Sequence, residues 1–163
     1  MDEQFFDLLN QQQREMLLPE LYAIAEKSGR TAVFAGDAPC ETYADWRARI
    51  TAALDDPQRY ILLMRAEGGI AGYMQYSLQG EVILLEYAVV DPVQQGTPLF
   101  RHCFRYLLQH LPPEILYLDD YVSKDRPEAI KVNQKLGMEI LGETHSGTHV
   151  RMRAKIPDVR GLF

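Results

Sequence analysis

The passage from Glu81 to Val122 constrains the fold more than any other part of the chain. It opens with EVILLEYAVV, a near-continuous apolar run that reads as a strand covered on both faces. Asp91-Pro92 ends the run. Leu99, Phe100, Cys103, Phe104, Leu107 and Leu108 then recur at helical spacing until Pro112-Pro113 stops them, and EILYLDDYV reads as another strand. Strand, helix and strand in that order form a right-handed parallel crossover. Just upstream, YILLMRAEGGIAGYMQYSL reads as two strands folded around Gly68-Gly69, an antiparallel hairpin. The sheet therefore switches from antiparallel to parallel at its third strand. Such a switch opens a crevice beside the carboxyl end of that strand, and topology alone puts the ligand site there.

The flanking segments are read from local signals. The opening part, up to about residue 56, reads as helical, with Phe5, Phe6, Leu8 and Leu9 as an apolar cluster. Pro19 either interrupts that pattern or opens a second helix through Leu21, Tyr22 and Ile24, which Gly29 stops. TAVFAGDAPC reads equally as strand or loop. Thr42 with Asp45 resembles a capping box, and Tyr43, Trp46, Ile50 and Leu54 predict an amphipathic helix over roughly 42–55. DRPEAIKVNQKLG predicts a helix with Pro127 in its first turn and Gly137 just past its end. MEILGETH and THVRMRAKI predict a closing hairpin around Ser146-Gly147. No repeat or linker divides the 163 residues, so the reading is one domain over 1–163. Its helical part covers about 1–56, and its sheet and ligand-site part about 57–156.

Charge and composition narrow the partners. A formal net charge of −6 argues against bulk nucleic-acid binding, which needs a basic footprint. No apolar run approaches the roughly 18 residues of a membrane span, and MDEQFFDLLNQQQREM is too acidic and polar for a secretory signal. Cys40 and Cys103 are far apart and read as free thiols in a reducing cytoplasm. His145 and His149 flank a tight turn without a third ligand, so no metal is expected. The expected protein is cytoplasmic, without nucleic-acid or membrane partners, and a homodimer is left open.

The order of elements and several short words resemble the GNAT superfamily of N-acetyltransferases over about residues 42–155. DRPEAIKVNQKLGM, residues 125–138, is similar to the family's N-x-x-A-x-x-x-Y-x-K-x-G-F segment through Ala129, Lys135, Leu136, Gly137 and Met138. Gly72 matches a glycine common in the family's second hairpin strand. Ala88-Val89-Val90-Asp91-Pro92, running into Gln94-Gln95-Gly96, resembles the V-x-P-x-x-R-G approach to the pyrophosphate loop. The resemblance implies an α+β GNAT-like fold: a splayed, mostly antiparallel sheet with helices on both faces. It further implies acetyl-CoA as co-substrate and direct attack on the thioester by an amine of a small molecule or protein. Val89, Val90 and the backbone near them would position the pantetheine and polarise the carbonyl, while Gln94, Gln95, Gly96 and Thr97 would meet the pyrophosphate. Three departures stand out. Pro98 has no N–H to give, Phe100 stands where the family has Gly or Ala, and Asn133 aligns with the family's tyrosine. A chain so altered reads alternatively as a ligand-sensing or partner-binding protein that has lost catalysis.

Within that frame the residues divide by role. Glu86 interrupts an apolar strand, where burial raises a carboxyl toward a useful base; the plain alternative is a salt-bridged or solvent-facing glutamate. Alternation puts Leu84, Glu86 and Ala88 on one face and Leu85, Tyr87 and Val89 on the other. Tyr121 ends the next strand and would replace the missing tyrosine as acid or hydrogen-bond the substrate. Asp119 shares its face and would pair with a cationic amine, whereas Asp120 ranks below it. Arg126 and Asn133, on the helix that follows, are expected to face the cofactor, Arg126 through a phosphate fork.

Overall fold

A computed structural model describes residues 3–7, 11–135 and 137–161; Leu8, Leu9 and Leu136 of the sequence reading lie outside the described residues. In chain order the elements are β1 (Gln4–Asp7), α1 (Gln11–Lys27), α2 (Tyr43–Leu54), β2 (Arg59–Ala66), β3 (Gly69–Gln79) and β4 (Val82–Val90). A 3-10 turn (Pro92–Gln94), α3 (Leu99–Gln109), β5 (Tyr117–Ser123), α4 (Pro127–Lys135), β6 (Glu139–Glu143), β7 (His149–Lys155) and α5 (Ile156–Arg160) follow. The strands form one sheet in the order β1-β2-β3-β4-β5-β7-β6. Every pairing is antiparallel except β4 with β5, which is parallel. The switch therefore falls at the third strand of the central meander, as the sequence requires.

Each face of the sheet has its own core. On one, Leu18, Leu21, Trp46 and Ile50 of α1 and α2 bury against Ile61, Leu63, Tyr73 and Val89. On the other, Leu99, Cys103, Leu107 and Leu108 of α3 and Ile156 of α5 bury against Leu62, Met64, Met74, Ile83, Leu118 and Met152. Burial pushes the Cys103 thiol up to about 12, so it stays protonated within that core. Thr42 caps α2 as expected: its Oγ1 accepts from the Asp45 N–H at 3.1 Å. Gly72 permits a close approach, since a Cβ there would stand 2.4 Å from the Val89 carbonyl oxygen.

The amino-terminal part departs from its reading. Phe5 and Phe6 lie in a strand, β1, which pairs with Met64 and Leu63 of β2. Four residues beside an open sheet edge gain ladder hydrogen bonds that an isolated short helix lacks. Pro19 neither ends nor starts a helix but sits inside α1. It is exposed, so the hydrogen bond it removes is lost toward water, while Leu18, Leu21, Ile24 and Ala25 anchor the opposite side. The undecided TAVFAGDAPC segment is a loop of bends and turns.

Candidate functional site

The β4–β5 ladder holds for only four rungs, Val82↔Tyr117 through Leu85↔Asp120. Beyond Leu85 and Asp120 the strands part, and a cavity of about 680 Å³ fills the fork. Its walls come from both faces of the sheet. Leu85, Glu86, Tyr87 and Ala88 of β4 and Asp120, Tyr121, Val122 and Ser123 of β5 form the sides. Phe100, Arg126, Ala129 and Asn133 approach from α3 and α4, and the loop from Gly29 to Pro39 from the α1–α2 side.

A bulge shapes the β4 wall. Gln75 pairs with Tyr87 and Tyr76 with Leu85, so Glu86 is the extra residue. The bulge breaks the alternation expected from the sequence. Leu85 and Ala88 both pack toward the α3 core, and Tyr87 and Val89 both toward the α1–α2 core. Past the bulge, the Ala88 carbonyl accepts from Arg30 Nε and the Val90 carbonyl from Ser28 Oγ, each at 3.0 Å. Both carbonyls face the fork rather than β3, and in an antiparallel ladder the N–H groups of the same residues point the same way. Backbone groups of β4 thus turn away from β3, those of Ala88 at the cavity.

The three carboxylates near the fork have different surroundings. Glu86 is buried, and Arg59 holds it as a bidentate pair, Nε to Oε1 at 2.7 Å and Nη2 to Oε2 at 3.0 Å. Gln75 donates a third bond at 3.3 Å. This is the salt-bridged form of Glu86, and protonating it would cost the pair. Asp119 is fully buried and does not line the cavity. Both its oxygens accept from Arg151 and Arg153 of β7, at 2.7–3.0 Å, which corrects the expectation that it receives an amine. Asp120 points to the opposite face with Leu118 and Val122, toward α4. It lines the cavity without a cationic partner among the described residues; the Tyr121 N–H donates to its Oδ1 at 2.8 Å. Burial pushes its carboxyl up to about 7.

The remaining expected residues fall into two groups. Tyr121, Arg126 and Asn133 line the cavity. Arg126 is exposed, 3.5 Å from Glu128, and Asn133 Nδ2 meets only Met152 Sδ at 3.9 Å. Val89, Val90, Gln94, Gln95, Gly96 and Thr97 do not line it. In the loop before α3, the N–H groups of Val93, Gln94, Gln95 and Thr97 are bonded within the turn, and Pro98 has none. Gly96, at φ +84°, and Phe100, in the first turn of α3, keep N–H groups without a partner among the described residues. Sequence reasoning passed over the Gly29–Pro39 loop, which carries no motif, and set Asp120 below Asp119, whereas Asp120 is the one that lines the cavity. Only the pairing of β5 with β7 separates Asp120 from Asp119.

No family model matches the sequence, and no curated protein matches it. Solved structures do. An acetyltransferase from Thermus thermophilus superposes with a TM-score of 0.74 at 17% identity, covering 95% of this chain and 97% of its own. A spermidine N-acetyltransferase from Vibrio cholerae, in complex with CoA and spermine, gives 0.68 at 11% identity, with 96% and 98% covered. The ribosomal-protein-S18-alanine N-acetyltransferase from Escherichia coli gives 0.66 at 18% identity, with 95% and 94% covered. The chain has the GNAT acetyltransferase fold over nearly its full length.

Proposed function

We propose that this protein transfers an acetyl group from acetyl-CoA to an amine, using the fork between β4 and β5 as its reaction chamber. The observation that carries the reading is the coincidence, in one cavity, of a β4 edge with outward backbone groups and a cation-free carboxyl at the fork. Acetyl-CoA supplies an electrophilic acyl carbon and a thiol leaving group. The residues fit such a ligand. The outward N–H groups of Ala88 and Val90 suit the carbonyls of an extended arm and an oxygen gaining charge, while the carbonyls of the same residues already accept from Arg30 and Ser28. The N–H groups of Gly96 and Phe100, at the start of α3, suit a pyrophosphate. Gln94, Gln95 and Thr97 then act by holding the turn rather than by donating to phosphate.

Asp120 takes the acid role in this proposal. It lies on the same face as Asn133, where the resemblance expects a tyrosine, and a carboxyl near 7 can protonate a thiolate whose conjugate acid is near 8.5. Tyr121 borders the acceptor side and orients the amine. Glu86, paired with Arg59, shapes the bulge instead of taking a proton. The test follows thiol release with amine acceptors for wild type and Asp120→Asn. The variant should lose about 10²–10⁴-fold in turnover with acetyl-CoA. Part of that loss should return with a thioester of a more acidic thiol, which leaves without an acid. No amine-dependent release from the wild type, despite measurable CoA binding, would favour the partner-binding or sensing alternative.

A further inference from the structure

Resting on the acetyl-transfer reading, we infer that the acceptor is a small amine carrying its own anionic group, and that Arg30 holds the anion. Arg30 is an exposed residue of the loop from Gly29 to Pro39 that walls the cavity. Its guanidinium is pinned from two directions, by the Nε bond to the Ala88 carbonyl at 3.0 Å and by the Tyr87 ring at 4.6 Å. Those contacts leave both Nη groups without a partner among the described residues. A guanidinium with one edge fixed and its fork free is a ready receptor for a carboxylate or phosphate.

Glu86 is already paired with Arg59, and Asp119 with Arg151 and Arg153, so neither of these buried carboxylates is left to fill the Arg30 fork. The cavity is also roofed. Gly36, at φ +87°, lies so close to the turn after β6 that a Cβ there would stand 2.8 Å from Ser146 Oγ and 3.0 Å from Thr148 Oγ1. The roof and the volume of about 680 Å³, shared with the cofactor arm, fit a small acceptor.

The experiment compares kcat/KM for γ-aminobutyrate, β-alanine and O-phosphoethanolamine with the amides of the first two and with spermidine. The anionic amines should exceed the amides by at least about tenfold, the scale of one charge-assisted hydrogen-bond pair. The carboxylate and phosphate arms identify which anion the fork prefers. Arg30→Gln should bring the acid-to-amide ratio toward unity, and Arg30→Lys should keep part of it, having the charge without the fork. A preference for spermidine or the amides overturns the inference. So does an Arg30→Gln variant that keeps the ratio and raises only the KM for acetyl-CoA, which would place Arg30 on the cofactor. If no amine of any class is acetylated, the acetyl-transfer reading fails first. Calorimetric binding of γ-aminobutyrate against its amide, in the presence of CoA, then decides separately: selective binding of the acid upholds the anion site, and equal or absent binding removes it.

Discussion

The two faces of the forked sheet meet at consecutive residues of β5, where Asp119 and Asp120 are chemically identical and physically opposite. Asp119 turns toward the α1–α2 side and receives three hydrogen bonds from two arginines of β7. It joins β5 to β7 and leaves nothing to offer a ligand. Asp120 turns toward α4 and has only a neighbouring N–H. Its charge is poorly solvated, so its proton leaves near neutrality rather than in acid. The contrast teaches that a carboxylate beside a cavity is available for chemistry in proportion to the partners it lacks. Glu86 falls with Asp119 on that scale, because Arg59 holds both of its oxygens.

Three substitutions sharpen or break this comparison. The largest effect on stability is expected at Asp119. Asp119→Ala would leave Arg151 and Arg153 facing each other without their anion, and breaking such a buried ion group costs about 3 kcal/mol or more. Both arginines are partly exposed, which puts the expectation at the lower end of that range. Urea denaturation at pH 7 measures it. A loss under about 1 kcal/mol would mean that solvent already screens the cluster, and the comparison would fail at its rigid end.

Asp120→Asn should act in the opposite direction. The folded state holds the Asp120 proton up to about pH 7, whereas the unfolded chain releases it near 3.8. Between those values the folded state binds more protons, so its stability falls as pH rises through that window. The asparagine variant escapes this. It should be more stable than wild type at pH 8 by about 1–2 kcal/mol, a figure reduced because Asp120 is only half-buried, and the gap should close by pH 4. Parallel denaturation curves at the two pH values test the sign. A variant less stable than wild type at pH 8 would show an unrecognised cation beside Asp120.

The smallest effect concerns the α3 wall. Phe100 is 42% exposed at the cavity, so Phe100→Ala removes little core while clearing space where the resemblance expects a small residue. CoA affinity by calorimetry should improve several-fold, on the order of 1 kcal/mol, with a slight loss of thermal stability. Weaker binding by a folded variant would mean that Phe100 packs against the cofactor instead of obstructing it.

How much of this was legible in advance depended on how local each signal is. The capped helix α2, the Gly68-Gly69 hairpin, the crossover through α3 and the α4 helix were legible because capping, turn chemistry and periodicity act within a few residues. The strand β1 was misread, since Phe5 and Phe6 gain their pairing from Met64 and Leu63, far along the chain. Tyr121, Arg126 and Asn133 reached the cavity from the resemblance and the topology together. The alternation along β4 failed at a bulge that has no signature in EVILLEYAVV.

By itself the sequence determined the order of elements from α2 to β7, the switch from antiparallel to parallel and hence the end of the sheet at which the fork opens, because these follow from hydrophobic period, turn residues and chain connectivity. Only the tertiary structure decided which carboxylate is free. Arg151 and Arg153 lie 32 and 34 residues from Asp119, and Arg59 lies 27 from Glu86. Ion pairing and desolvation are set by distance in space, so the pairing of β5 with β7 set arginines beside Asp119 and made it a brace, and set Met152 opposite Asp120, which keeps its proton to near neutral pH.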